Sequence, residues 1–417
     1  MKATNSHRRL TSCVDLVLLI TGMITIVACA DLKTLKGQPG VSTGLPQSQQ
    51  VPRQVESNGG PLHAICKGQL PCYKNHLEAI VKEQGTEEAL HVIDQVIQND
   101  QTARREAHNL THHVGRVSYQ HLNDVTSVMF QCTAAHQSGC YHGALEAYLR
   151  KKKSHVSSKD VVAICSPKLE AAKGRFAYFN CFHGLGHGLT MHLNHDMKKA
   201  LTMCDALKVA WDRESCYGGV FMETVVTAIS GSEHHAGHHG DKHAAHRPKL
   251  LDPDNPLYPC SDIEKKYWRE CYMMQTSIIL HLTKYDFAKA FRVCDGAVEG
   301  MRPTCYQSMG RDIAGHTLRD IKQSIALCEL GQASHQGRCF VGVVKNFLNV
   351  TGRASEDAFE FCRQTPDKHK GDCHVAIGEE FLTLYRDPKK RTSECNRSVP
   401  NYVKDCGRGA RLPSNQL

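Results

Sequence analysis

Asp286-Phe-Ala-Lys-Ala-Phe-Arg-Val-Cys294, followed after ten residues by Cys305-Tyr-Gln-Ser308, is the stretch that decides the fold. Asp286 can accept hydrogen bonds from the free N–H groups of a helix's first turn, and the residues after it are apolar at helical spacing. An aromatic residue follows Cys305 directly, and the small Ser308 lets a neighbouring helix approach closely. The stretch predicts two helices joined by a loop of about ten residues that has one Cys at each end.

The same pattern recurs along the chain. From Cys132 onward the cysteines form eight pairs, and the second members of the last five pairs are 34, 34, 34 and 33 residues apart. Such a period is typical of two-helix solenoid repeats. We therefore predict an all-α fold, an α/α solenoid of about eight two-helix repeats of about 34 residues over 124–412, preceded by a helical cap at 66–123. In six repeats an Asp stands eight residues before the first Cys, and we interpret it as a helix N-cap: Asp124, Asp196, Asp252, Asp286, Asp320 and Asp387.

The spacing of the cysteines predicts disulfides. Each pair closes a short loop, and one such disulfide contributes about 2 to 4 kcal/mol to stability. Zinc ligation is the alternative, but it usually shows two short CxxC-like hooks, which the sequence lacks. The predicted pairs are Cys66 with Cys72, Cys132 with Cys140, Cys165 with Cys181, Cys204 with Cys216, Cys260 with Cys271, Cys294 with Cys305, Cys328 with Cys339, Cys362 with Cys373, and Cys395 with Cys406.

The N-terminus has the features of an export signal. Basic residues precede an apolar run over 14–30, which contains Ile26-Val27-Ala28-Cys29. This tetrapeptide resembles a bacterial lipobox, whose Cys is lipidated and becomes the new N-terminus after cleavage. Removing Cys13 with the signal and assigning Cys29 to a lipid leaves 18 of the 20 cysteines, an even number. An uncleaved anchor and an ordinary signal peptide remain alternatives.

These features predict an exported lipoprotein of the periplasm or cell surface, held to a membrane by its lipid. Residues 1–29 are then a signal peptide with lipobox, and 30–65, rich in Gly, Pro, Ser and Gln, are a flexible tether. The net charge of +9 and the pI of about 8.7 are moderate. Together with export they argue against a nucleic-acid partner.

Histidine and glutamate are concentrated in the first three repeats. The second and sixth positions after the second Cys lie one helical turn apart on one face, and side chains from neighbouring packed helices can share an ion. Neutral imidazole suits zinc, copper, nickel and iron, so the sequence predicts a transition-metal site. Its candidate ligands are His108, His112 and His113 upstream of the repeats, His142 and Glu146 in the first, His183 and His187 in the second, and Glu223 in the third.

The segment Cys181-Phe-His-Gly-Leu-Gly-His-Gly188 is the sharpest local feature. Its HxxxH spacing resembles helical metal-ligand pairs, but Gly184 replaces the catalytic Glu of HExxH. In a version of the site without a metal, the glycines would let a ligand come close, and His187 and Glu223 would act as acid and base. In a third interpretation these side chains are structural, each satisfied by a backbone carbonyl or a basic partner.

An insertion at 231–250 carries six histidines between His234 and His246. Such a run can collect metal loosely and pass it to a tighter site, or it can be a solvated polar loop. The sequence contains no CxxCH, no GxxxxGK[ST] and no dinucleotide fingerprint, so we expect neither haem nor a nucleotide as cofactor.

At the level of the repeat, residues 124–412 resemble the tetratricopeptide-related, cysteine-rich repeat proteins that bacteria export. That family usually separates its paired cysteines by seven residues, which only the pair of Cys132 and Cys140 matches. The resemblance implies a concave surface for interaction and no particular chemistry. One alternative to metal binding is therefore a metal-free scaffold for a protein, peptide or glycan. Its contacts would include Gln307, Arg311, Lys345 and Asn346. A metal-dependent enzyme that uses the same cluster is the other alternative.

Overall fold

The structure is a computed structural model that describes residues 61–133, 135–152, 156–157, 160–161, 164–165, 174–230, 251–351, 353 and 355–413. Within these residues the chain is helical, with no strand, and the α-solenoid prediction is confirmed. The predicted signal peptide, Cys29 and the His-rich insertion lie outside the described residues. The predicted tether does so up to residue 60, and its last residues begin the first helix at Leu62.

Nineteen α-helices follow one another over the described residues. They are α1 (Leu62–Cys66), α2 (Leu70–Gln84), α3 (Thr86–Asn99), α4 (Gln101–Arg105), α5 (Ala107–Leu122), α6 (Val125–Gln131), α7 (Gly139–Lys151), α8 (Arg175–His192), α9 (Met197–Cys204), α10 (Ala210–Ser230), α11 (Trp268–Leu282), α12 (Phe287–Asp295), α13 (Arg302–His316), α14 (Ile321–Cys328), α15 (Gln336–Thr351), α16 (Glu356–Gln364), α17 (Asp367–Leu384), α18 (Pro388–Cys395) and α19 (Val403–Gly409).

The second helices of successive repeats form an inner layer. The inner helices are α5, α7, α8, α10, α11, α13, α15, α17 and α19, and each packs against the next one along the chain. Several of these pairs meet backbone to backbone, because a Cβ at Gly143 or Gly219 would lie 1.9 or 1.8 Å from a carbonyl oxygen of the preceding inner helix. The small residue that the repeat places there is therefore required by the packing.

Aspartate caps the first helix of most repeats. The side chain accepts a backbone N–H at the start of α6, α9, α12, α14 and α18, as predicted. Asp252 is the exception, and its prediction is wrong. It accepts from the backbone N–H groups of Asp254 and Asn255 in a turn, and no α-helix forms over 251–264. Three prolines, at 253, 256 and 259, explain this, because Pro lacks the N–H that a helix interior needs.

Nine disulfides join the cysteines of the described residues, with Cα–Cα distances of 5.4 to 5.8 Å, and all nine are the predicted pairs. In most repeats the bridge ties the end of the first helix to an inner helix. The bonds are Cys66 to Cys72, Cys132 to Cys140, Cys165 to Cys181, Cys204 to Cys216, Cys260 to Cys271, Cys294 to Cys305, Cys328 to Cys339, Cys362 to Cys373, and Cys395 to Cys406.

The bridges are buried in the repeat core. The second members Cys140, Cys339, Cys373 and Cys406 lie within α7, α15, α17 and α19, and each is at most 1% exposed. Disulfides in this number indicate an oxidising, exported environment. Among the helices that the structure describes, none is long and apolar enough to cross a membrane.

The last repeats return to the first ones. Helix α15 lies against the 3₁₀ turn His136–Ser138, and α17 contacts α8. The inner helices thereby border a cavity of about 2230 Å³, lined by residues from Leu70 to Thr383. Side chains on the inner helices of early and late repeats therefore face one common space.

Candidate metal centre

Four neighbouring inner helices bring most of the predicted ligands to the cavity wall. Because residues four apart lie on one face of a helix, α5, α7 and α8 each present a pair of side chains, and α10 adds one more. The six fully buried members of this set and the half-buried His108 all line the cavity. The set consists of His108 and His112 on α5, His142 and Glu146 on α7, His183 and His187 on α8, and Glu223 on α10.

Three imidazoles converge at one point, and we call them the trihistidine group: His108, His112 and His142. The Nε2 atoms of His108 and His112 lie 3.1 Å apart, and His142 Nδ1 lies 3.3 Å from His112 Nε2. One nitrogen from each lies within 4.8 Å of the other two. Tetrahedral zinc with Zn–N bonds of about 2.0 to 2.1 Å separates its nitrogen ligands by about 3.3 Å. The observed spacing fits a shared ion.

The outer nitrogens of two of these rings are already engaged. His108 Nδ1 lies 2.8 Å from the backbone oxygen of His136, and His112 Nδ1 lies 2.8 Å from Glu146 Oε1. Both acceptors require an N–H at Nδ1, so in the neutral ring Nε2 keeps its lone pair. Metal-bound histidines are held by a carbonyl or carboxylate in the same way. Two lone pairs that face each other at this distance repel, and a cation between them would remove that repulsion.

A second set of ligand atoms adjoins the first, and we call it the carboxylate group: Glu146, His187 and Glu223. One ligand atom from each lies within 4.8 Å of the others, and His187 Nδ1 is 3.1 Å from Glu223 Oε2. Arg116 donates to Glu146 Oε2 at 2.8 Å, and Thr227 donates to Glu223 Oε1 at 3.2 Å. The group joins α7, α8 and α10 at the cavity wall.

The two carboxylates are ionised at neutral pH. Burial alone would raise the pKa of Glu146, but His112 and Arg116 outweigh it and hold that pKa well below its usual range. Burial likewise opposes ionisation of Glu223, and the hydrogen bond from His187 outweighs it and lowers the pKa. The site therefore places buried negative charge directly beside imidazole nitrogens.

Three of the histidines are held neutral, which is the form that binds metal. Burial, followed by the proximity of His112, lowers the pKa of His108 to about 3. Burial and the neighbouring His187 hold the pKa values of His142 and His183 far below their usual range. Neutral imidazole is the ligand for zinc, copper, nickel and iron.

Five buried ring nitrogens lack a hydrogen-bond partner within the described residues, and three of them belong to this cluster: His142 Nε2, His183 Nδ1 and His187 Nε2. Their rings pack against one another, with centroids 4.9 to 5.1 Å apart. An unsatisfied buried polar atom costs about 1 to 3 kcal/mol, and such an atom in a native protein calls for a water or an ion. The hydrogen bonds and ion pairs within the trihistidine and carboxylate groups leave these three nitrogens without a partner.

Two predicted ligands stand outside both groups. His113 follows His112 directly, so it points elsewhere from α5, and its Nε2 lies 3.1 Å from the backbone oxygen of Lys74. Burial and Arg116 lower the pKa of His113 to about 4. The ring of His183 is tilted against that of His142, and its Nε2 lies 3.4 Å from Met222 Sδ. The structure thus does not bring His113 to the centre and gives His183 a place at its edge.

Sequence reasoning missed several residues that support the centre. Arg116 lies one turn beyond His112, a spacing that could have identified it as a partner of Glu146. No local signal indicated that Asp94 would hold His136, whose Nε2 it contacts at 2.6 Å. Glu270 was missed because it precedes Cys271, whereas the candidates within the repeats stand at or beside the second and sixth positions after the second Cys.

Glu270 lies on the cavity wall next to the centre. A Cβ at Gly218 would lie 3.2 Å from His183 Nδ1 and 3.7 Å from Glu270 Oε2, so the missing side chain opens a notch between these two groups. Burial raises the pKa of Glu270 to about 7, although Arg269 contacts its carboxylate. A carboxyl that titrates near neutrality can donate or accept a proton there.

Comparisons with protein-family models, with curated proteins and with solved structures give no match for this chain. The resemblance to tetratricopeptide-related repeat proteins therefore stays a prediction. What the site can do rests on its geometry: buried, neutral imidazoles and ionised carboxylates that could hold a metal ion at the wall of a large cavity.

Proposed function

We propose that this protein is an exported, membrane-anchored lipoprotein whose helical repeat body binds a transition metal through the trihistidine group. The observation that carries the proposal is the convergence of three ring nitrogens, with two separations of 3.1 and 3.3 Å. Hydrogen bonds at the outer nitrogens of His108 and His112 aim their lone pairs inward.

The donor set favours a borderline transition metal. Imidazole nitrogen suits zinc, copper, nickel and iron, and the carboxylates beside it extend the choice towards iron and manganese. Calcium and magnesium prefer all-oxygen sites and are disfavoured by three nitrogens. The nine disulfides support loading outside the cytoplasm, where the thiols have been oxidised.

The direct test is elemental analysis of protein purified without an affinity tag. We expect at least one equivalent of transition metal in the wild type and a loss of about one equivalent in His108→Ala and in His142→Ala. His113→Ala is the matched control, because His113 lies on the same helix as His108 and outside the trihistidine group. Wild-type protein without metal, even after incubation with zinc, would refute the proposal.

The lipid anchor needs its own test. The proposal rests on Ile26-Val27-Ala28-Cys29 and on the even number of cysteines that remain. Radiolabelled palmitate should label the wild type and leave Cys29→Ser unlabelled. A control lipoprotein that takes up label in the same cells, while this protein does not, would exclude the anchor and leave the metal proposal intact.

The cavity favours a second candidate, chemistry at the bound metal. Its volume of about 2230 Å³ admits a ligand to the site, and Glu270 offers a proton donor or acceptor beside His183. A panel of ester and phosphoester substrates with zinc-loaded protein tests this idea. Turnover that disappears in Glu270→Gln, with metal content unchanged, would support an enzyme.

A further inference from the structure

We propose that the carboxylate group holds a second transition-metal ion, so that the site is a two-metal centre. The inference rests on the proposed function and extends it, because the trihistidine group accounts for only one ion. Glu146, His187 and Glu223 would be the protein ligands of the second. One ligand atom of each lies within 4.8 Å of the other two.

The carboxylate group is deeply buried. The side chains of Glu146, His187 and Glu223 are 4, 2 and 6% exposed. Arg116 pairs with Glu146, whereas the ion pairs of Glu223 in the described residues are with His187 and His195 only. Buried charged groups are paired or coordinate a metal. A divalent ion at this position would add positive charge beside Glu223, whose ion-pair partners within the described residues are imidazoles.

The unsatisfied ring nitrogens point to the same place. His187 Nε2 belongs to the carboxylate group's own histidine, and His142 Nε2 belongs to a ring stacked on it at 4.9 Å. A network of hydrogen bonds alone would leave both atoms unpaired and buried. A metal ion with its bound water or hydroxide would provide the partners that these two nitrogens lack.

One imidazole links the two groups. His112 offers Nε2 to the trihistidine group, while its Nδ1 contacts Glu146 in the carboxylate group. The rings of His112 and His187 are 5.9 Å apart. Two cations this close repel each other strongly at low dielectric, and the negative charges of Glu146 and Glu223 offset that repulsion. Adjacent ions are the arrangement with which two-metal sites clamp a substrate oxygen.

The test counts zinc. The six histidines of the insertion, His234, His235, His238, His239, His243 and His246, are first replaced by Ser in the full chain, so that only tightly held zinc remains after dialysis. We expect two equivalents in this background, one in Glu223→Gln and one in His108→Ala. Glu380→Gln is the matched control, because Glu380 is a cavity-lining Glu on a late inner helix, and it should keep two.

The outcomes separate the two proposals. One equivalent in the background chain, unchanged by Glu223→Gln, would overturn the second site and leave the first. No zinc in any variant would overturn both. Two equivalents that persist in Glu223→Gln would also overturn the assignment. If Glu223→Gln fails to fold by circular dichroism, Glu223→Asp, which withdraws the carboxylate by one methylene, must lose one equivalent instead.

Copper provides the readout of proximity. Loaded with two equivalents of Cu(II), the background chain should show a spin-coupled electron paramagnetic resonance spectrum with a half-field signal. Glu223→Gln should show an isolated Cu(II) spectrum, and Glu380→Gln should retain the coupling. Two uncoupled Cu(II) signals in the background chain would mean distant sites and would contradict a two-metal centre.

Discussion

Two regions of the inner layer share a backbone and differ in chemistry. The early region is α5, α7, α8 and α10, and the late region is α11, α13, α15 and α17. Both have the disulfide staple and the close backbone approach, since a Cβ at Gly219 or at Gly342 would meet a carbonyl oxygen at 1.8 or 1.9 Å. The scaffold is therefore the same in both.

The side chains on the cavity face separate the regions. In the late region each charge has an opposite partner: Arg311 pairs with Asp312, and Lys345 pairs with Glu379 and Glu380. In the early region the carboxylates are surrounded mainly by imidazoles. The comparison teaches that the cavity-facing positions are free to vary, because the packing is supplied by the small residue and the disulfide.

Metal removal should give the largest difference between the regions. An ion at a thousand times its dissociation constant stabilises the folded state by about 4 kcal/mol, and that free energy is lost on chelation. We expect faster hydrogen exchange in the early region and unchanged exchange in the late one. Glu380→Gln should respond to the chelator as the wild type does, whereas equal changes in both regions would contradict a local metal centre.

Disulfide removal should affect both regions alike. Replacing Cys204 and Cys216 by Ser, or Cys294 and Cys305, opens a loop of about the same length. Each double variant should lose about 2 to 4 kcal/mol of unfolding free energy, measured by urea denaturation of the metal-free protein. A loss confined to one region would break the view of a uniform scaffold.

Substitution of the tightly packed glycines should come next. Gly219→Ala and Gly342→Ala force neighbouring inner helices apart, at a cost of about 1 to 3 kcal/mol each. Only Gly219→Ala should also lower metal affinity, because it moves α8 against α10. Gly315→Ala is the control, since a Cβ there meets nothing within 4 Å, and it should gain up to about 1 kcal/mol.

A pH dependence is expected at the boundary between the regions, where Glu270 is 13% exposed and Arg269 partly offsets its burial. Burial raises its pKa from 4.5 to about 7, so the folded state holds a proton that the unfolded state has released. The free energy of unfolding should therefore fall as pH rises from about 4.5 to about 7.

Glu270→Gln should remove that fall, as measured by urea denaturation at pH 5 and pH 8. Glu264→Gln, at a side chain that is 71% exposed, is the matched control and should keep the wild-type profile. A profile of Glu270→Gln that is indistinguishable from the wild type would show that Glu270 does not titrate with folding.

Local patterns in the sequence were sufficient for the scaffold. The Cys period predicted the repeats, and the Asp positions predicted the N-caps, because both act over a few residues. Asp252 failed for a local reason as well, since the prolines at 253, 256 and 259 override the capping signal. The spacing of His108 and His112, and of His183 and His187, placed each pair on one helical face.

The amino-acid sequence alone determined the helical repeats, the disulfide pairing and the helices on which imidazole and carboxylate are concentrated. Only the tertiary structure decided which of these side chains meet. It turned His113 towards Lys74, joined Arg116 to Glu146, and divided the ligands into two adjoining groups. The reason is physical: helical periodicity sets the face of each side chain, whereas the distance between atoms on different helices depends on how those helices pack.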